Sequence, residues 1–208
     1  MLDTLRRRWL GRAFKGSPFA PLFEPPPAEE WVALDLETTS LDPTKAEIVA
    51  IGAVRIRGAR LLTGQALSLR LRPPTSLAGD SIVIHGLRHQ DLTDGLSQEQ
   101  ALSRLLAFIG PSPLVGYHID YDFRILSRHC HRLWGLTLPH RTIEVSRLYY
   151  DAVTRHLPGS HLDLRLSSIC QHLALPRLEA HDALNDALTA ALIFVRLRFG
   201  PAPGYPKV

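Results

Sequence analysis

A chain of 208 residues, 45% hydrophobic and 21% charged, has ordinary globular composition, which excludes a disordered tail protein and a collagen-like fibre. No apolar run reaches the roughly 18 residues of a membrane-spanning helix. Of 24 basic and 20 acidic residues, Arg6, Arg7, Arg8, Arg12, Lys15 and Asp3 lie in the first 16 positions. That segment holds the whole net charge of +4 and the rest of the chain cancels, so charge alone assigns no nucleic-acid face to the remainder.

The first 16 residues place Leu2, Leu5, Trp9, Leu10, Ala13 and Phe14 at helical spacing, with arginines over much of the other face. A basic amphipathic helix is expected. It can dock on its own domain, on a protein partner or on an anionic membrane surface. It lacks the uninterrupted apolar stretch of a secretory signal. Residues 17–30, with prolines at 18, 21 and 25–27, read as an extended linker.

From Trp31 the pattern is that of strands: residues 31–37, 48–56 and 61–71, the last two joined by a Gly58-Ala59 hairpin. Ser97 followed by Gln100 is a capping box opening a helix to about Ile109. Residues 113–117 form a short apolar run, expected as a buried strand, and 121–133 read as a helix. Residues 142–152 and 164–173 are expected as short helices and 182–199 as a long one. Residues 200–208 read as a tail. The sum is an α/β domain over 31–199 with a mixed, five-stranded sheet flanked by helices. Cys130 and Cys170 are too few for a disulfide framework, and a reducing cytoplasm is the simplest setting.

Asp35 and Glu37 are two apart on the first strand, so both project from one face while Leu34 and Leu36 take the other. Such a pair is either solvated on an edge strand or held around a cation, because two close carboxylates raise each other's cost of ionisation. Asp120 and Asp122 stand where a buried strand passes into a helix, a favoured place for ligand sites in α/β proteins. His181 precedes the last helix; Asp182 is its natural N-cap, whereas Asp186 has no such structural reason.

These residues resemble the motifs of a known family. Asp35-Leu-Glu37-Thr-Thr-Ser-Leu-Asp-Pro43, Tyr121-Asp122 and His181-Asp-Ala183-Leu-Asn-Asp186-Ala187 resemble, in order and spacing, the DEDDh family of 3′–5′ exonucleases. Ile84-His85-Gly86-Leu87 is similar to a segment of the same family. Ser40 departs from the usual glycine, and residues 117–122 depart from the usual second motif.

The resemblance implies a ribonuclease-H-like fold and a 3′–5′ exonuclease releasing 5′-mononucleotides from nucleic acid with a free 3′ end. DNA is the first choice of substrate and short RNA the second. Asp35, Glu37, Asp122 and Asp186 would hold two divalent ions, Mg²⁺ or Mn²⁺, and His181 would accept the proton of the attacking water. Thr38, Thr39 and His85 would lie near the terminal nucleotide. Two rival readings are a docking subunit of a polymerase or repair assembly and a phosphodiesterase for small nucleotides.

Overall fold

The computed structural model describes residues 2–72, 94–155, 162–176 and 178–204. In it the alternating stretch after residue 30 becomes β1 (Glu30–Thr38), the middle of a mixed sheet. β1 pairs antiparallel with β2 (Ile48–Arg57), which also pairs antiparallel with β3 (Arg60–Leu61) and β4 (Leu67–Arg70). On its other side β1 pairs parallel with β5 (Leu114–Gly116), and β5 pairs parallel with β6 (Thr142–Glu144). The order is β3-β2-β1-β5-β6, with β4 also on β2.

The sheet thus has six strands. The run 61–71 is not one strand, because a 3-10 turn at Thr63–Gln65 splits it into β3 and β4. Residues 142–144, expected to begin a helix, are β6. Their place in the sheet comes from pairing with β5, which local propensity does not reveal.

Besides the N-terminal α1 (Leu2–Gly11), the α-helices among the described residues are α2 (Gln98–Ile109), α3 (Ile119–Trp134), α4 (Val145–Thr154), α5 (Leu166–His172) and α6 (Ala183–Phe199). α2 opens on the expected capping box of Ser97 and Gln100, and Asp182 caps α6 by accepting from the Asn185 N–H at 3.0 Å. The alternation of β1 sorts the core into two layers. Val32, Leu34 and Leu36 face α2 and α3, while Trp31 and Ala33 face α4, α5 and α6. Cys130 lies in the first layer and Cys170 in the second, so they are free thiols on opposite sides of the sheet. Among the described residues no helix is long and apolar enough to cross a membrane.

The N-terminal segment lies against its own domain. Arg7 is buried, and its guanidinium donates to the carbonyl oxygens of Leu22, Glu24 and Pro111 at 3.2, 3.3 and 3.4 Å. Leu10, Phe14 and Phe19 pack on the first core layer, whereas Leu5 and Trp9 stay exposed. Of the stretch 17–30, expected as an extended linker, the first half is instead folded, while residues 24–29 stay exposed outside any helix or strand. Pro21 sits at the start of a 3-10 turn over Ala20–Phe23, where its fixed φ suits a helical turn. Leu22 and Phe23 are buried in the same core, and Phe19 meets the Trp134 ring at 4.8 Å.

Glu30, at the start of β1, anchors the end of the sheet remote from the carboxylates. Its carboxylate accepts from Arg55 and from Arg57, at 2.5 and 2.9 Å. Burial alone would raise its pKa, but the hydrogen bonds from Arg57 and Arg55 outweigh that and hold it below the usual 4.5.

Two outcomes follow from this packing. Leu22→Ala should cost about 2–5 kcal/mol of stability, the range for a buried leucine, where a residue of a solvated linker would cost nothing measurable by denaturant titration. Because Glu30 has its pKa depressed on folding, its contribution is present above pH 4.5 and is lost as pH falls through the folded value. Acid titration of Glu30→Gln should therefore show lower stability at neutral pH and a shallower loss below pH 4.5 than the parent chain.

Candidate active site

Asp35 and Glu37 project from the face of β1 that α6 covers. Their cross-strand partners on β2 are Gly52 and Ala50. A side chain at Gly52 would overlap the backbone of Ala183 and Leu184, so the first turn of α6 rests directly on bare strand backbone. That close approach carries Asp186 to β1. Asp35, Glu37 and Asp186 each bring a carboxylate oxygen into one group whose members all lie within 4.8 Å of one another. Asp122, in the first turn of α3, stands outside this trio but lines the same cleft, and its charge is the strongest of those acting on Asp35.

The electrostatics follow from that crowding. Burial first, then the charges of Asp122, Asp186 and Glu37, push the Asp35 carboxyl well above the ordinary range. Burial likewise raises Asp122, against the partly offsetting backbone N–H of Leu36. Glu37 is raised to about 7 by burial and by Asp186 and Asp182, and Asp186 is raised by burial despite the His181 N–H that it accepts at 3.1 Å. None of the described residues lining this cleft of about 480 Å³ is a lysine or arginine. Hard oxygen donors that are buried, mutually repelling and without a protein cation fit divalent ions such as Mg²⁺ or Mn²⁺.

The opposite wall is apolar, with Tyr117, Leu166, Cys170, Pro176 and Leu178. One cleft therefore offers charge on one side and a nonpolar surface on the other, a combination suited to a nucleotide. His181 lies at its rim, exposed, in the left-handed conformation with φ +64°. His118 does the same at the start of α3, with φ +56°. Such backbone is uncommon for a residue with a side chain and clusters at functional sites.

The threonines are differently employed. The Thr38 hydroxyl is 2.8 Å from the Tyr121 hydroxyl, which also donates to the Ser40 carbonyl, so Thr38 and Tyr121 tie β1 to α3 beside the cleft. Thr39 is buried, and its Oγ1 accepts from the Glu47 N–H at 3.0 Å, holding the loop that returns to β2. Neither threonine lines the cleft. The register of β1 and β2 shifts right after Glu37, a bulge of the kind that re-aims chains next to active sites. Ser40 is accommodated without positive φ, its Oγ accepting from the Asp42 N–H at 3.1 Å. His85 lies outside the described residues.

Sequence reasoning overlooked three contributors. Gly52 had a readable signal, a glycine inside the β-branched run 48–56. Tyr121 was read only as the aromatic before Asp122. Glu144 gave no signal: its two carboxylate oxygens accept from Ile119 N–H at 3.1 Å and Ser146 N–H at 3.0 Å, joining the starts of α3 and α4. Tyr149 is buried, with its hydroxyl 2.8 Å from His172 Nδ1.

The sequence model of a family described as Exonuclease (RNase T) matches residues 32–194. A PolC-type DNA polymerase III of Thermotoga maritima is 32% identical over 169 residues, which cover 80% of this chain and 12% of that protein. The DNA polymerase III epsilon subunit of Aquifex aeolicus is 22% identical over 170 residues, 80% of this chain and 79% of that one. The chain thus spans about an eighth of the length of the polymerase that it matches. E. coli exonuclease I, solved with a dT13 oligonucleotide, superposes with TM-score 0.68 at 13% identity over 82% of this chain and 41% of its own. The ribonuclease-H-like fold is shared.

Gly52→Val should push the start of α6 off β2 and pull Asp186 away from Asp35 and Glu37. The expected result is loss of high-affinity divalent-ion binding, read by titration calorimetry, alongside a lower melting temperature. Gly64→Val, at a position with open space around it, should change neither.

Proposed function

The chain belongs to the exonuclease family, and from that membership we propose that it is a metal-dependent 3′–5′ exonuclease, releasing 5′-mononucleotides from single-stranded DNA in the cytoplasm. The observation that carries this reading is the convergence of Asp35, Glu37 and Asp186 within 4.8 Å, with Asp122 and His181 in the same cleft. Four carboxylates on one wall, facing an apolar wall, suit a phosphodiester with its base and sugar beside it.

Asp35, Glu37, Asp122 and Asp186 would hold two divalent ions, which supply stabilisation of the charge on the attacking and leaving oxygens. His181 accepts the proton of the attacking water at a ring nitrogen, and its exposed position lets the proton pass on to solvent. Its own backbone N–H, bound to Asp186, fixes where the imidazole begins relative to the carboxylates. Tyr117, Leu166 and Leu178 receive the terminal base and sugar and exclude water from that side. The Thr38–Tyr121 hydrogen bond keeps the rim between β1 and α3 in place, so these two residues position the wall and Thr39 holds the loop behind it.

Degradation of single-stranded DNA and RNA, each labelled at either end, with Mn²⁺ tests the reading. Release of labelled mononucleotide at the earliest times from 3′-labelled but not 5′-labelled DNA is expected. Asp35→Ala and Asp122→Ala should lose about 10³-fold or more in rate, and divalent ions should no longer raise their melting temperature as they do for the parent chain. His181→Ala should lose roughly 10²–10⁴-fold in kcat while still responding to the metal. Early mononucleotide from the 5′ label, or near-normal turnover by Asp35→Ala, would overturn the proposal. Faster removal from RNA than from DNA would move the substrate and keep the chemistry.

A further inference from the structure

A phosphodiester strand is an anion, and it must approach a cleft whose charged wall is made of four carboxylates. Beside that cleft lies a small depression of about 40 Å³ bordered by Glu37, His181 and Asp182 and by Ser68 and Arg70 of β4. Arg70 is the only lysine or arginine among the described residues that line these two depressions.

Its position is fixed by the sheet. Glu37 pairs with Ala50 on β2, and Ala50 pairs with Arg70 on β4. Asp35, Gly52 and Ser68 form the adjacent parallel row. Residues directly opposite in a sheet share a face, so Ser68 and Arg70 project on the α6 side, with Asp35 and Glu37. Two strand spacings separate Arg70 from Glu37, about 10 Å, and the residue between them is the short Ala50. A guanidinium leaning over Ala50 meets no bulky side chain in its row.

Arg70 is exposed, and no described residue forms a hydrogen bond or ion pair with its guanidinium. Other arginines are employed: Arg55 and Arg57 of β2 on Glu30, Arg128 and Arg132 of α3 on Glu47. Ser68 and Arg70 also border a second groove of about 400 Å³ that crosses the β4 edge towards Arg104 of α2, with Asp94 as its acidic member. A path with an arginine near each end therefore leads away from the carboxylates.

Building on the exonuclease reading above, we propose that Arg70, with the Ser68 hydroxyl beside it, is a phosphate-binding subsite that grips a backbone phosphate of the nucleic-acid strand next to the scissile one. Arginine suits this task because its planar fork donates two parallel hydrogen bonds to phosphate oxygens and stays charged at every working pH. Among the described residues its guanidinium forms no salt bridge with the carboxylates, so it remains available to the ligand. Arg70 in this role binds and orients the strand, and the chemistry stays with the carboxylates and His181.

The test uses the full chain and a fluorescent phosphorothioate oligonucleotide, whose binding is followed by anisotropy over a range of salt, together with steady-state degradation of the ordinary oligonucleotide. Arg70→Gln should weaken oligonucleotide binding about tenfold or more, the scale of a lost charge-assisted hydrogen bond. It should also flatten the salt dependence by up to about 0.7 in slope, one phosphate contact on a single strand. KM should rise more than kcat falls, and the melting-temperature rise with Mn²⁺ should match that of the parent chain. Arg70→Lys should keep most of the salt slope. Unchanged affinity and slope in Arg70→Gln would overturn the subsite. So would a rise in the inhibition constant of a 5′-mononucleotide equal to the loss of oligonucleotide affinity, because the phosphate gripped would then be that of the product. Failure of the parent chain to degrade 3′ ends would sink the exonuclease reading, and the anisotropy measurement would still decide on Arg70.

Discussion

Like charges forced together in a half-buried cleft impose the constraint from which the rest of this structure follows. Asp35, Glu37, Asp122 and Asp186 all have their carboxyls pushed above the ordinary range by burial, and the first three also by charges within the group. Left to themselves, they would shed their charge or separate. They are kept together because each sits on an element pinned by something else: β1 by strands on both sides, α3 by its apolar face in the first core layer, α6 by its seat on Gly52. The framework supplies the stability that the site withholds.

That division runs along β1 itself. Its first residue, Glu30, is held by two arginines and a hydrogen bond from Ser112, so the strand is tied down at the end where nothing reacts. Its last residues carry the acids, the bulge and the turn back to β2. Both exposed histidines at the cleft, His118 and His181, stand just before helices in left-handed backbone. Rigid elements aim the carboxylates, while short strained junctions aim the imidazoles.

Much of the site was legible beforehand because its residue types have few alternative explanations in their pattern. An i, i+2 acid pair on an otherwise apolar strand and an unrequired aspartate in the first turn of α6 both point to a shared ligand. The roles of Thr38 and Thr39 were not legible. Their hydroxyls are taken by Tyr121 and by the Glu47 N–H, partners 83 and 8 residues away in the chain, and only the folded register shows which polar atoms remain for a substrate. β6 was missed for the same reason, since three residues become a strand through pairing with β5. The stretch 17–30 was misjudged because prolines dominate its composition and conceal the spacing of Phe19, Leu22 and Phe23.

The docked N-terminal segment also separates two meanings of the word domain. Similarity in sequence to the exonuclease family begins at residue 32, but Leu22, Phe23, Phe19 and Phe14 belong to the same apolar layer as Val32 and Leu34. Arg7 closes the arrangement by binding the carbonyl of Pro111, just ahead of β5. The unit that descent has kept recognisable is therefore smaller than the unit that water would see as closed. Cutting the chain at the inherited boundary would strip those aromatic rings away and bare the apolar layer beneath them, Trp134 included, on an otherwise intact nuclease, and such a fragment would recruit neighbours to cover it.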